Sequence, residues 1–285
     1  MQGQNAPSHN THSPSTFWEN APLIHNDAIF IADAHFMPLT PSLSEQSKEA
    51  SQALLDYFKY LLSAPQTIPS QIFLMGDIAH LLLGGVDSSY KANQNLLSLI
   101  ESLSKQSQIW WFEGNHDFTL STFKKPFLEH IHIITRTQQP KAFCFKYGHI
   151  KKRILLAHGD IFLHTKYELY IRLMHTRFIR ALMYLLDNVT FGNLYTYIIA
   201  KVNQKNIRVG KIEMSAFAPL RVNAYTKYMQ KILKGADSSV LAFDAIIEGH
   251  FHIGQTYNNG ILYVSLPSFY VNRSIFAIKS LFDLN

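Results

Sequence analysis

The chain has 285 residues, 47% apolar, 13% aromatic and 16% charged, with a formal net charge of +6. That length accommodates one large domain or one domain with a substantial insertion, and the apolar share excludes a wholly disordered chain. The single cysteine, Cys144, excludes an internal disulfide and is compatible with a reducing compartment.

Residues 1–22 start polar, rich in Ser, Asn, His and Thr. They lack the basic start and apolar run of a signal peptide and are expected to form a flexible tail. An apolar run, Ala28–Ala32, reads as a strand and leads into Asp33-x-His35. Ala50, Leu54, Leu55, Phe58 and Leu61 recur at three- and four-residue steps and predict a helix over about 44–62, closed by Ala64-Pro65. The run Ile72–Met75 precedes Gly76-Asp77. A helix is predicted at about 90–102, and the run Ile109–Phe112 then leads to Gly114-Asn115-His116-Asp117. A short strand at Ile131–Ile134 follows. Ala142–Lys146 and Arg153–Ala157 form a predicted hairpin about Tyr147-Gly148, ending at His158-Gly159-Asp160. The last strands are Ala245–Glu248, which precedes Gly249-His250-x-His252, then Ile261–Ser265 and Ser274–Ile278. Strands that alternate with helices and then pair in hairpins predict an α/β fold over residues 23–285, a sandwich of two mixed sheets flanked by helices.

Between the fourth and fifth motifs, residues 162–240 have another character and are expected to form an inserted helical cap. From Ile161 to Val240 twelve Lys and Arg stand against four acids, so the rest of the chain is slightly acidic. This basic excess points to an anionic partner: a phosphorylated substrate, a membrane surface or nucleic acid. On a helical wheel Tyr167, Tyr170, Ile171, Met174, Phe178, Ala181, Leu182 and Leu185 share one stripe. Lys166, Arg177 and Arg180 lie on one flank of it and Arg172 on the other. A second helix, about 220–233, groups Val222, Tyr225, Tyr228, Met229 and Ile232 away from Lys227, Lys231 and Lys234. Two readings stand: stripes that pack on each other as core, or a cap that binds a greasy anionic substrate and touches a membrane. The nearest approach to a membrane span, residues 178–200, holds Arg180, Asp187, Asn188 and Asn193, so a spanning helix is not expected.

The five motifs supply seven metal-ligating side chains: Asp33, His35, Asp77, Asn115, His158, His250 and His252. Each motif stands at or just past the end of an apolar run, and ligands at the carboxyl ends of successive strands converge on one rim of a sheet. Mixed Asp, His and Asn ligation suits Mn, Fe, Zn or Ni better than an all-thiolate structural zinc. Two cations about 3.5–4 Å apart lower the pKa of a bridging water and clamp phosphoryl oxygens, which a repulsive phosphoester anion requires.

In this order the five motifs resemble the calcineurin-like metallophosphoesterases, from Asp33 to His252. The resemblance implies that family's two-sheet sandwich and two divalent ions, expected to be Mn²⁺. One ion would lie on Asp33, His35, Asp77 and His252, and the other on Asp77, Asn115, His158 and His250. Asp77 would bridge them through its two oxygens. His116 would lie beside the phosphoryl group, stabilising transition-state charge or protonating the leaving oxygen. Asp117 and Asp160 are expected to orient imidazoles. The family's second motif often runs Gly-Asp-x-x-Asp, whereas His80 takes the last position here.

Length and the basic, aromatic-rich insertion are further similar to the UDP-2,3-diacylglucosamine hydrolases of lipid A synthesis, in the branch of epsilon-class proteobacteria. The better-known enzyme of that activity carries Arg where this chain has His116. This resemblance implies cleavage of a UDP-linked acylated sugar to UMP and the acylated sugar 1-phosphate by a cytoplasmic protein peripherally attached to the inner membrane, with no nucleic acid and no obligate protein partner. Lys166, Arg172 and Arg177 are the candidates for diphosphate or sugar contacts, and the apolar stripe for acyl chains. The alternative is a general metallophosphoesterase acting on phosphoprotein, nucleotide or nucleic acid. A scaffold without metal has no physical need of a complete ligand set.

Overall fold

The computed structural model describes residues 17–40, 43–123, 129–203, 207, 212–234 and 238–281. The first strands are β1 (Leu23–Ile24), β2 (Ile29–Ile31), β3 (Gln71–Leu74), β4 (Leu82–Leu83), β5 (Gln108–Phe112), β6 (Asp117–Phe118) and β7 (Ile131–Ile134). They are followed by β8 (Lys141–Tyr147), β9 (Ile150–Ala157), β10 (Ala245–Glu248), β11 (Gln255–Asn259), β12 (Ile261–Ser265) and β13 (Phe276–Ala277). One sheet has the order β13-β2-β3-β5-β7, parallel except for β13. The other has the order β1-β8-β9-β10-β12-β11, in which β9, β10 and β12 run parallel. In that sheet β8 opposes β9 and β11 opposes β12.

The predicted strands appear because their runs are covered on both sides, which parallel strands require. Phe30, Phe73, Phe112, Phe143, Ile154 and Ile247 fill the space between the sheets. On the far side of the five-stranded sheet, Ile31, Leu74 and Trp111 meet α1 (Glu45–Ser63) and α3 (Gln94–Ser104) through Leu54, Phe58, Leu97 and Ile100. The helix predicted at 90–102 is two helices, α2 (Asp87–Ala92) and α3, divided at Asn93, whose amide Nδ2 donates to Ser89 O at 2.9 Å and Leu81 O at 3.2 Å. The expected tail differs at its end. Trp18 is only 5% exposed, donates from Nε1 to Val240 O at 2.7 Å and packs with Cys144, while residues 1–16 lie outside the described residues.

The segment expected to form one cap divides in two. Helices α4 (Thr165–Met174), α5 (Arg177–Val189) and α6 (Asn193–Val202) stand over the strand ends. They are pinned to the body where Ser88 N donates to Asp187 Oδ2 at 3.1 Å and Tyr195 OH donates to Leu81 O at 2.9 Å. The stripe drawn from Tyr167 to Leu185 is not one helix face, because Thr176 ends the first helix and caps the second, accepting from Ile179 N at 3.3 Å. By contrast α7 (Met214–Ile232) lies on the outer face of the six-stranded sheet with Met214, Ala218, Tyr225 and Met229 buried. There the core reading of the apolar stripe holds. Among the described residues no helix is long and apolar enough to cross a membrane.

A buried ion pair fixes α7. Arg221 donates from Nε and Nη2 to Glu248 at 2.7 and 2.8 Å, and from Nη1 and Nη2 to Ile161 O and Gly159 O at 2.9 and 3.1 Å. The Tyr225 and Tyr263 hydroxyls donate to the same carboxylate at 2.5 and 2.6 Å. Removing one partner of such a pair leaves an uncompensated buried charge. Arg221→Ala is therefore expected to lower the unfolding free energy by about 3–5 kcal/mol in urea titration, and a loss below about 1 kcal/mol, the scale of an exposed pair, would refute the role.

Candidate metal centre

The strands β2, β3, β5, β9 and β10 all end on one rim, and the five motifs follow them there. Five of the seven expected ligands hold left-handed backbone: Asp33 (φ 49°), His35 (44°), Asp77 (51°), His250 (66°) and His252 (57°). They are five of the nine non-glycine residues with positive φ among the described residues. Such strain persists where the surroundings over-determine it, and it concentrates at functional sites.

Each carboxylate divides its oxygens. His250 N donates to Asp33 Oδ2 at 2.8 Å, while Asp33 Oδ1 lies 3.3 Å from His252 Nε2. His116 N donates to Asp77 Oδ1 at 2.8 Å, while Asp77 Oδ2 lies 3.5 Å from His158 Nε2. Oδ1 of Asp77 is thus engaged by a backbone donor, and Oδ2 is the oxygen that faces the His158 imidazole. His158 is oriented by Met75 O, 2.9 Å from Nδ1. A carbonyl only accepts, so Nδ1 carries a proton and Nε2 is the nitrogen turned into the cluster, 3.4 Å from Asn115 Oδ1. His35 Nε2 and His252 Nε2 lie 3.4 Å apart.

These separations suit a divalent cation. Ligand atoms at tetrahedral angles about 2.0–2.2 Å from one ion lie roughly 3.3–3.6 Å apart. Two groups, Asp33 with His35 and His252, and Asp77 with His158 and His250, bring their ligand atoms within 4.8 Å of one another. Asp33 Oδ1 is buried without a hydrogen-bond partner, an arrangement costly in the absence of an ion. The field agrees. Burial pushes the His35 imidazole well below its usual range, and His116, His80 and His252 add to this against the pull of Asp77. Burial also opposes charge on His158, yet Asp77 and Asp33 outweigh it and hold that imidazole well above its usual range. The first position thus favours a neutral imidazole, the form able to ligate, and at the second the carboxylates draw positive charge.

A cavity of about 1060 Å³ opens on the centre and is lined by His35, Asp77, Asn115, His116, His250 and His252. Its other wall is apolar and comes from α4 to α6, with Tyr167, Tyr170, Ile171, Met174, Met183, Ile198 and Val202. The expected stripe thus splits, since Phe178 is 73% exposed and Leu182 and Leu185 also face solvent. Lys166, Arg172 and Arg177 do not line the cavity. All three are exposed, and Arg172 Nε lies 3.9 Å from Glu168 Oε2. Their flanking position on a wheel gave no information about which way the helix turns.

Two expected imidazole partners act otherwise. Asp117 accepts from Asp77 N, Ile78 N, Gly114 N and Trp111 Nε1 at 2.8–3.1 Å, so it gathers backbone of the second and third motifs. Asp160 accepts from Arg136 Nε at 2.7 Å and Tyr167 OH at 3.4 Å. Arg136 also donates to Glu168 at 2.8 and 3.3 Å, tying α4 to the rim. Nothing in its local sequence marks Arg136, because its partners lie 24 and 32 residues away.

A sequence model of the calcineurin-like phosphoesterase family matches residues 28–254. No curated protein matches the sequence. Among solved structures, a protein of unknown function from Aquifex aeolicus is 13% identical with a TM-score of 0.41, over 91% of this chain and 99% of that one. A dimetal phosphatase from Danio rerio is 12% identical with a TM-score of 0.38, over 85% and 87%. An archaeal phosphodiesterase is 11% identical with a TM-score of 0.36, over 89% and 94%.

Glycines of the motifs make room for ligands. A Cβ on Gly76 would run into the His158 ring, and one on Gly114 into Asp77 Oδ1 and Asp77 N. Gly114→Ala is expected to weaken divalent-metal binding at least about tenfold, the scale set by loss of a ligand-orienting contact. Calorimetric titration with Mn²⁺ checks this, and wild-type affinity would remove Gly114 from the account.

Proposed function

The chain belongs to the calcineurin-like phosphoesterase family, and from that premise we propose that it hydrolyses the pyrophosphate of UDP-2,3-diacylglucosamine to UMP and the diacyl sugar 1-phosphate. The family cleaves phosphoesters at a dinuclear divalent metal centre, and the His and Asp groups of this chain could hold metal. One observation supports a lipid-bearing substrate. The cavity of about 1060 Å³ is lined both by the metal-ligating cluster and by apolar side chains of α4–α6.

In this reading Asp33, His35, Asp77 and His252 hold one cation, and Asp77, Asn115, His158 and His250 the other, with Mn²⁺ as the proposed metal. When bound, the ions supply Lewis-acid polarisation of phosphoryl oxygens and acidify water. The chain's own residues do the rest. His116 Nδ1 lies 2.8 Å from His80 O, so that nitrogen donates and Nε2 is left to serve the leaving oxygen or the transition-state charge. Ile171, Met174, Met183 and Ile198 exclude water and take acyl chain, each buried methylene contributing about 0.8 kcal/mol.

The outer face of the same helices supports attachment to the cytoplasmic face of the inner membrane. Phe178, Val189 and Phe191 are 73%, 65% and 93% exposed. Apolar side chains beside basic ones suit the boundary between acyl chains and anionic headgroups. Lys166, Arg172 and Arg177, exposed outside the cavity, fit headgroup contact better than diphosphate contact.

With Mn²⁺ supplied, UMP release from the UDP-linked diacyl sugar is expected to exceed turnover of a phosphoprotein or single-stranded DNA. The reverse order would favour the general phosphoesterase. His116→Ala is expected to keep its metal and lose turnover by about 10²–10⁴-fold; undiminished turnover would sink its role. Replacing Phe178 and Phe191 together by Asp is expected to reduce cosedimentation with anionic phospholipid vesicles, and equal binding would dismiss the membrane face.

A further inference from the structure

His80 stands between the metal-ligating cluster and the cap. It is buried, its Nδ1 lies 3.3 Å from His35 Nδ1, and its Nε2 lies 3.3 Å from the carbonyl oxygen of Val202. Val202 is the last residue of α6, and the final carbonyls of a helix have no partner within it. A donor from outside is therefore in demand at this point.

The partners fix the protons in sequence. A carbonyl only accepts, so His80 Nε2 carries hydrogen and donates to Val202 O. A neutral imidazole has one N–H, so His80 Nδ1 is an acceptor, and His35 Nδ1 must be the donor facing it. His35 Nε2 then holds a lone pair, and it is this nitrogen that lies 3.4 Å from His252 Nε2. We propose that His80 is a positioning residue that links docking of the cap helix α6 to metal affinity, by holding His35 in the one tautomer whose Nε2 can ligate. A carboxylate at this place would accept from His35 but has no hydrogen to give to Val202, whereas the imidazole does both.

The proposal rests on His35 being a ligand, and the test separates the two. Asparagine places an amide oxygen near the position of Nδ1, and glutamine places an amide nitrogen near that of Nε2. His80→Asn is expected to keep Mn²⁺ affinity near that of the wild type in calorimetric titration. His80→Gln is expected to lose about 10–100-fold, the range for losing a ligand-orienting partner. In the wild-type protein Mn²⁺ is expected to slow amide hydrogen exchange in α6, because coupling is reciprocal. In His80→Asn that response is expected to vanish while binding persists. Unchanged affinity in His80→Gln, or equal losses in both variants, would overturn the positioning role. An α6 whose exchange ignores Mn²⁺ in the wild type would overturn the link to the cap, whatever the variants do. A wild-type protein that binds no divalent ion would instead overturn the ligand assignment.

Discussion

The division of two carboxylates between backbone and imidazole is the constraint on which the rest of the site depends. Asp33 follows a strand of the five-stranded sheet, and its Oδ2 accepts from His250 N, which follows a strand of the six-stranded sheet. That bond closes the rim between sheets and at the same time turns Oδ1 toward His252. Asp77 does the same between β3 and β5 through His116 N. Both aspartates, and three of the histidines they serve, sit in left-handed conformations that cost of order 1–3 kcal/mol apiece. The paired loops and the strands behind them must hold those conformations whether or not an ion is present. That explains why Asp117 is spent on three backbone donors of these loops and the Trp111 indole of β5, and not on an imidazole.

The cap obeys different physics. It touches the body through a few polar points, Asp187, Tyr195, Arg136 and His80, and a small apolar cluster of Leu83, Val86, Phe118 and Tyr195. The helices of the core bury most of one face, whereas α5 has only Asp187 buried. A domain seldom exposes so many large apolar side chains without a use for them. A weakly packed element that closes on a reactive centre through hydrogen bonds belongs to the less stable end of a structure, where lids are found.

The sheets were legible because their strands are apolar on both faces, so Ile131–Ile134, Ala245–Glu248 and Ile261–Ser265 emerged with their observed limits. β11 was not, since Gln255–Asn259 is a polar edge strand with one neighbour. The order of the motifs could be read from the sequence, but the left-handed backbone of Asp33, His35, Asp77, His250 and His252 could not, because Asp and His adopt positive φ only occasionally. Asp160 was read as an imidazole partner, whereas it accepts from Arg136, a contact between distant residues. His80 stood out only as a departure. What it does depends on Val202, 122 positions along the chain.

The interruption at Thr176 is the most instructive failure of pattern reading. A 3.6-residue wheel drawn through 167–185 keeps its phase, so periodicity alone predicts one long amphipathic helix. The capping hydroxyl of Thr176 breaks that helix after Met174 and restarts it at Arg177. Across this break one stripe meets two surfaces: Tyr167, Tyr170, Ile171 and Met174 line the cavity, and Phe178 and Leu185 meet solvent. A single straight helix cannot place one face both inward on a reactive centre and outward on its surroundings. In the proposed function both are needed, because acyl chains must be drawn from a bilayer on one side of the cap and held beside the reacting phosphorus on the other. The break supplies that geometry with one threonine and no change in hydrophobic content.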